Sequence, residues 1–350
     1  MRFITKTERK IMLLRRILLA SVSGTALALT ALPQIAQADE PMPVVATFSI
    51  LGDMVGQIGG EHISLTTLVG PNGDTHIYQP TPKDARSVAE AEVVFINGLD
   101  FEGWLERLAE AVSFDGTLVT ATNGIDAIAF DDNDDHKDHD DHDDHKDHDD
   151  HDDHKDHDDH KDHDDHDDHH GHNHGAFDPH AWQSLDNAVK YIDNITSALA
   201  VADPDNASDY YSNRAEYIAQ IELLSKEIIV MMSSIPENKR TVVTAHDAFG
   251  YFSQSYDVKF VAPQGLSTES EASARDVANL IEQIREDGIS AVFIESITDS
   301  RMIEQIANET GAVVGGTLYS DALSGKSGPA STYLEMFRHN AVTISSALSK

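Results

Sequence analysis

From His136 to His169 a histidine stands at every third position, with Asp-Asp or Lys-Asp filling the gaps, and the run continues to His174 without one apolar side chain. Such a stretch can add nothing to a hydrophobic core, so any fold must be built from the chain on either side of it. Its three-residue period misses the α-helical repeat, and repulsion between its aspartates favours an extended, solvated chain. Between Asp131 and His170 there are 22 aspartates against four lysines. The net charge of the whole chain is −36, or −41 once the basic first 38 residues are set aside. That balance excludes nucleic acid as a natural partner and makes cations the expected one.

The flanking stretches, roughly 270 residues together, suffice for two domains. In the first, Val44 to Phe48, Ile63 to Val69, Val93 to Ile96 and Leu118 to Thr120 are short and rich in β-branched residues, as strands are. Leu51 to Ile58, Lys83 to Ala91 and Glu102 to Val112 carry helical periodicity between them. The second stretch repeats the alternation, with strands over Thr241 to Ala245, Val258 to Val261, Ala291 to Glu295 and Ala312 to Leu318, and helices over Ala274 to Arg285 and Arg301 to Glu309. Alternation of this kind predicts an α/β fold of two lobes, each with a central, mostly parallel sheet flanked by helices. Between them, Ala207 to Met232 places Tyr211, Ala215, Ile218, Ile221, Leu224 and Ile228 at steps of three and four, which predicts one long helix and limited opening between the lobes.

The chain opens with Arg2, Lys6, Arg9, Lys10, Arg15 and Arg16, an apolar run from Ile17 to Leu32, and Ala36-Gln37-Ala38. This reads as a signal peptide cleaved after about Ala38, and therefore as a periplasmic protein. Ser21, Ser23, Gly24 and Thr25 interrupt a run already shorter than the roughly 20 residues a membrane span needs. Cysteine is absent, so neither a disulfide nor an acylated thiol is expected. The expected organisation is 1–38 signal peptide, 39–183 first lobe with a disordered loop over 131–174, 184–235 linking helical region and 236–350 second lobe.

Imidazole favours zinc, copper and nickel over calcium, magnesium or manganese. The tract therefore supplies accessory, low-affinity sites at His136, His139, His142, His145, His148, His151, His154, His157, His160, His163, His166, His169, His170, His172 and His174. Five histidines remain outside it, and three stand in unusual surroundings. His76 lies in Gly73-Asp74-Thr75-His76-Ile77-Tyr78-Gln79-Pro80 just after a predicted strand, His180 in Asp178-Pro179-His180-Ala181-Trp182, and His246 in Thr244-Ala245-His246-Asp247-Ala248-Phe249-Gly250-Tyr251. Asp321 closes another apolar run through Leu318-Tyr319-Ser320-Asp321. Strand ends are where open α/β sheets place ligands, and three imidazoles with one carboxylate would close a tetrahedral site of zinc type. His62 and His339 match no motif and are expected at the surface.

In these motifs the sequence resembles the cluster A-I solute-binding proteins of bacterial ABC transporters for zinc and manganese, of the zinc-binding type. The resemblance implies that His76, His180, His246 and Asp321 are the metal ligands, that a single long helix joins the lobes, and that the partner is an ABC-type membrane permease, with a periplasmic metallochaperone as a further candidate. Manganese members commonly carry a glutamate at the place of His246, so Zn2+ is expected as the captured ion ahead of Mn2+. Some zinc members have Glu just before the first histidine, where this chain has Thr75. A monomer that is not an enzyme is expected. Two other readings stand beside it: a periplasmic zinc buffer or storage protein using the tract, and a secreted zinc hydrolase with Asp247, Glu269 or Glu271 as base. No His-Glu-x-x-His or Gly-x-Ser-x-Gly pattern supports the hydrolase.

Overall fold

The computed structural model describes residues 40–129 and 177–349. The expected signal peptide and the loop 131–174, with its fifteen histidines, lie outside the described residues. The first half runs β1 (Met42–Phe48), α1 (Ser49–Gly59), β2 (Ile63–Val69), α2 (Pro82–Glu90), β3 (Val93–Ile96), α3 (Leu105–Val112) and β4 (Thr117–Thr120). These strands form one parallel sheet in the order β2-β1-β3-β4. A 3-10 turn (Ala181–Gln183), α4 (Leu185–Ala202) and α5 (Ala207–Ser233) follow. The second half runs β5 (Thr241–Val243), α6 (Gly250–Tyr256), β6 (Lys259–Val261), α7 (Ala274–Asp287), β7 (Ala291–Glu295), α8 (Arg301–Thr310), β8 (Val313–Leu318) and α9 (Tyr333–Leu348). Its sheet is also parallel, in the corresponding order β6-β5-β7-β8.

Helices cover both faces of the inner strands, which is why β1 and β3 read as unbroken apolar runs rather than alternating ones. In each sheet the chain reverses its direction of winding beside the first strand, β1 or β5, and opens a crevice at the strands' carboxyl ends. Side chains in the turns fix where the helices begin. Thr81 and Asp84 cap α2 reciprocally with Pro82 at its first position, and Ser273 and Asp276 do the same for α7.

Three differences from the sequence-based reading have visible reasons. The helix expected from Glu102 starts at Leu105, because the Glu102 carboxylate is buried and accepts hydrogen bonds from the Thr47 hydroxyl (2.6 Å) and the Asn97 N–H (2.7 Å). Strand β5 stops at Val243 because the N–H groups of Ala245 and His246 donate to Glu295 instead of to a neighbouring strand. On α5 the buried face is Tyr210, Tyr217, Ile221, Leu224, Ile228 and Met232, whereas Tyr211 is 52% exposed and Ala215 is exposed. The tyrosines set that rotation: the Tyr210 hydroxyl donates to Asp203 (2.7 Å) and the Tyr217 hydroxyl to Asp53 on α1 (3.4 Å).

Helix α4 packs on β3, β4 and α1, so within 184–235 the element that passes between the halves is α5. That helix lies against α1 and α4 of the first half and against α9, which covers β8. One hydrophobic core runs without a break from the first sheet through Trp182, Ile221 and Leu224 to Phe252, Phe293, Tyr333 and Phe337. A smaller core, built on Val243, Leu280, Ile284, Ile303 and Ile306, fills the far face of the second sheet under α7 and α8.

Candidate metal centre

His76, His180, His246 and Asp321 are brought together, and one ligand-capable atom of each lies within 4.8 Å of the other three. His76 follows β2 through a turn closed by the Gly73 N–H on the Gly70 carbonyl (3.1 Å). Asp74 pins that loop twice, accepting the His76 N–H at 2.9 Å and the Thr268 hydroxyl of the second half at 2.6 Å. His180 precedes the 3-10 turn, where one Asp178 oxygen accepts the His180 N–H (2.9 Å) and meets the ring Nδ1 (2.8 Å). A Cβ at Gly250 would come within 2.5 Å of the other Asp178 oxygen, so a side chain there would push the carboxylate off its histidine.

His246 leaves β5 beside the end of β7, whose last residue is Glu295. One Glu295 oxygen accepts the N–H groups of Ala245 (2.7 Å) and His246 (2.9 Å), and the other lies 2.6 Å from His246 Nδ1. Asp321 is held on a loop whose Ser320 carbonyl accepts from the Trp182 indole N–H and the Gln183 amide, both at 2.8 Å. Two more cross-connections fix the surroundings: the Tyr333 hydroxyl donates to the Trp182 carbonyl (2.6 Å) and the Tyr251 hydroxyl to that of Asp178 (2.9 Å).

His180, His246 and Asp321 are fully buried, and His76 keeps 5% of its side chain exposed. The His76 ring stands edge-on to Phe101, with centroids 4.9 Å apart, and that of His180 meets Trp182 at 5.3 Å. With Asp178 and Glu295 against two of the Nδ1 atoms, the Nε2 lone pairs face inward. Those of His76, His180 and His246 stand 3.5, 3.6 and 3.1 Å from the oxygens of Asp321. None of these nitrogens or oxygens has a hydrogen-bond partner among the described residues. Orphaned groups of this kind are rare in a protein interior unless something else satisfies them. Ligands about 2.0–2.1 Å from a tetrahedral zinc stand about 3.3 Å apart, which the three observed separations bracket.

The charges tell the same story. Burial alone would push the His246 imidazole down, but the Glu295 and Asp321 carboxylates outweigh it and hold the ring well above the usual histidine range. Burial would raise Asp321, yet the His246 and His180 rings beside it hold its carboxyl well below the usual range. The pocket is built to balance positive charge against carboxylate.

None of the three acids considered as hydrolytic bases belongs to the converging set of ligand-capable groups. Glu269 and Glu271 are exposed, and Asp247 is half-buried, with burial as the main cause holding its carboxyl up. His62 and His339, expected at the surface, are partly exposed there: His62 pairs with Asp209 at 2.9 Å, and His339 Nε2 lies 3.0 Å from the Thr317 carbonyl. Sequence reasoning gave Glu295 no role. The available signal was an acid ending an otherwise apolar strand.

Residues 44–347 match the family model of the zinc-uptake complex component A, periplasmic. The manganese-binding lipoprotein MntA of Bacillus subtilis is 32% identical over 316 residues, 89% of this chain and 91% of that protein. Among solved structures, the periplasmic zinc-binding protein TroA of Treponema pallidum superposes with a TM-score of 0.73 at 26% identity, over 89% of this chain and 100% of its own. The Mn-bound periplasmic metal-binding protein of Candidatus Liberibacter asiaticus gives 0.70 at 29% identity, over 87% and 98%. With nearly the whole described chain inside that match, and two parallel four-stranded sheets about a long helix, the chain belongs to the zinc-uptake complex component A family of cluster A-I metal solute-binding proteins.

Proposed function

We infer that this chain is the extracytoplasmic metal-binding component of an ABC uptake transporter, and that it captures Zn2+ on His76, His180, His246 and Asp321 and delivers it to a membrane permease. The observation that carries the reading is the set of three inward imidazole nitrogens and one carboxylate, all buried and all without another partner. Relatives carry names for manganese, iron and zinc, so family alone leaves the ion open. The donor set favours zinc, since three imidazoles suit it better than the harder manganese. Four protein ligands fill a tetrahedron and leave no open position for an activated water, which supports capture over hydrolysis.

The test is titration of the signal-free protein with Zn2+ and Mn2+, with and without 131–174, beside His246→Ala. The expected result is one tight zinc equivalent that survives loss of the tract and weakens by orders of magnitude in His246→Ala. Tight manganese in its place would move the ion, and no tight equivalent without the tract would favour a buffer. Because the imidazoles must be neutral to bind and, against burial, the Glu295 and Asp321 carboxylates raise the pKa of His246, affinity should fall on acidification beginning above the usual histidine range.

A further inference from the structure

His76, the one of the four side chains at the centre that keeps any exposure, lines a cleft of about 320 Å3 between the two halves. One wall carries Leu99, Asp100 and Phe101 of the first half; the other carries Leu266, Ser267 and Glu269 of the second. Asp100 and Glu269 are exposed carboxylates, and no lysine or arginine among the described residues lines the cleft. At its floor the His76 side chain is nineteen-twentieths buried, with an Nε2 that faces Asp321 and that no described residue satisfies. The first wall is held in a costly backbone shape. Gly98, Leu99 and Asp100 have successive φ values of 86°, 55° and 61°, so two residues with side chains occupy the left-handed region. That turn carries Asp100 to the rim and returns Phe101 to the His76 ring.

Resting on the capture function inferred above, we propose that this cleft is the path by which the ion enters and leaves, that His76 is the first of the four ligands it meets, and that Asp100 and Glu269 draw the hydrated cation to the mouth. Two carboxylates on a concave surface of low dielectric raise the local cation concentration and thus the association rate, in a manner that salt screens.

The two tryptophans provide a local probe, since Trp182 packs on His180 and the histidine tract contains none. Stopped-flow fluorescence of the full signal-free chain mixed with Zn2+ should show association slowed about 3- to 10-fold at low ionic strength in Asp100→Asn/Glu269→Gln. Dissociation into a chelator should keep its wild-type rate, and the difference should close as salt rises. Ser267→Leu, which narrows the cleft without adding a fluorophore, should slow association and dissociation alike and leave their ratio unchanged. Wild-type loading rates in both variants would overturn the path. Should Ser267→Leu fail to fold, the isosteric pair still decides. If the wild-type chain shows no tight equivalent at all, it is the capture function that fails, and the two failures are thereby distinct.

Discussion

At the scale of single residues, the centre depends on carboxylates that need never touch an ion. Glu295 joins two backbone N–H groups and one imidazole, fixing which nitrogen of His246 faces inward. Loss of such an outer partner typically weakens metal affinity by about 10- to 100-fold. Glu295→Gln should therefore weaken zinc by about that factor in competition with a chelator while leaving the one-to-one stoichiometry intact. An unchanged affinity would show that the ring is oriented by packing alone. The four inward groups were legible in sequence because each sits in a loop of Gly, Pro or Asp beside an apolar run. Glu295 was not, because its partner is set by strand order: β5 and β7 are neighbours in space and far apart in the chain. Asp178 stood in a visible motif, yet its grip on His180 depends on the chain returning sharply over two residues.

At the scale of elements, caps and strand ends do more than propensity. Asp84 closes the capping box of α2 and also accepts from the Tyr78 hydroxyl at 2.8 Å, so the helix start anchors the loop that carries His76. Burial opposes ionisation of Asp84, but hydrogen bonds from Thr81 and Tyr78 outweigh it and lower its pKa. A folded-state pKa below the unfolded one gives stability that is present above the ordinary carboxylate range and lost as pH falls through the lowered value. Asp84→Ala should cost about 1–2 kcal/mol in urea unfolding at about pH 7, and the gap from wild type should narrow by about pH 3. A gap that stayed constant would assign the loss to packing. Most strands and helices could be read from the sequence to within a few residues, since the winding keeps apolar runs and amphipathic stretches distinct. Helices α6 and α9 were missed. Seven residues are too few for a period to show in α6, whereas the buried Tyr333, Met336, Phe337, Asn340, Ala341 and Ile344 of α9 do recur at steps of three and four and were there to be read.

At the scale of the whole molecule, the centre takes two ligands from each half, so a bound ion would fasten them together. Zinc at about 100 times its dissociation constant should stabilise the protein by about 2.7 kcal/mol, read as a rise in melting temperature that His246→Ala abolishes. An equal rise in that variant would place the stabilising ions elsewhere. The halves are already joined without an ion: the Tyr333 N–H of α9 donates to Asp53 of α1 (2.9 Å), and the Leu323 N–H to the Ser49 hydroxyl (2.9 Å). That shared interior has a bearing on when the protein can finish folding. Tyr333, Met336, Phe337 and Ile344 of α9 pack mainly on β8 and α5 and reach α1 near the start of the described chain. Although the two sheets repeat one winding order, the core they share is complete only with α9 in place.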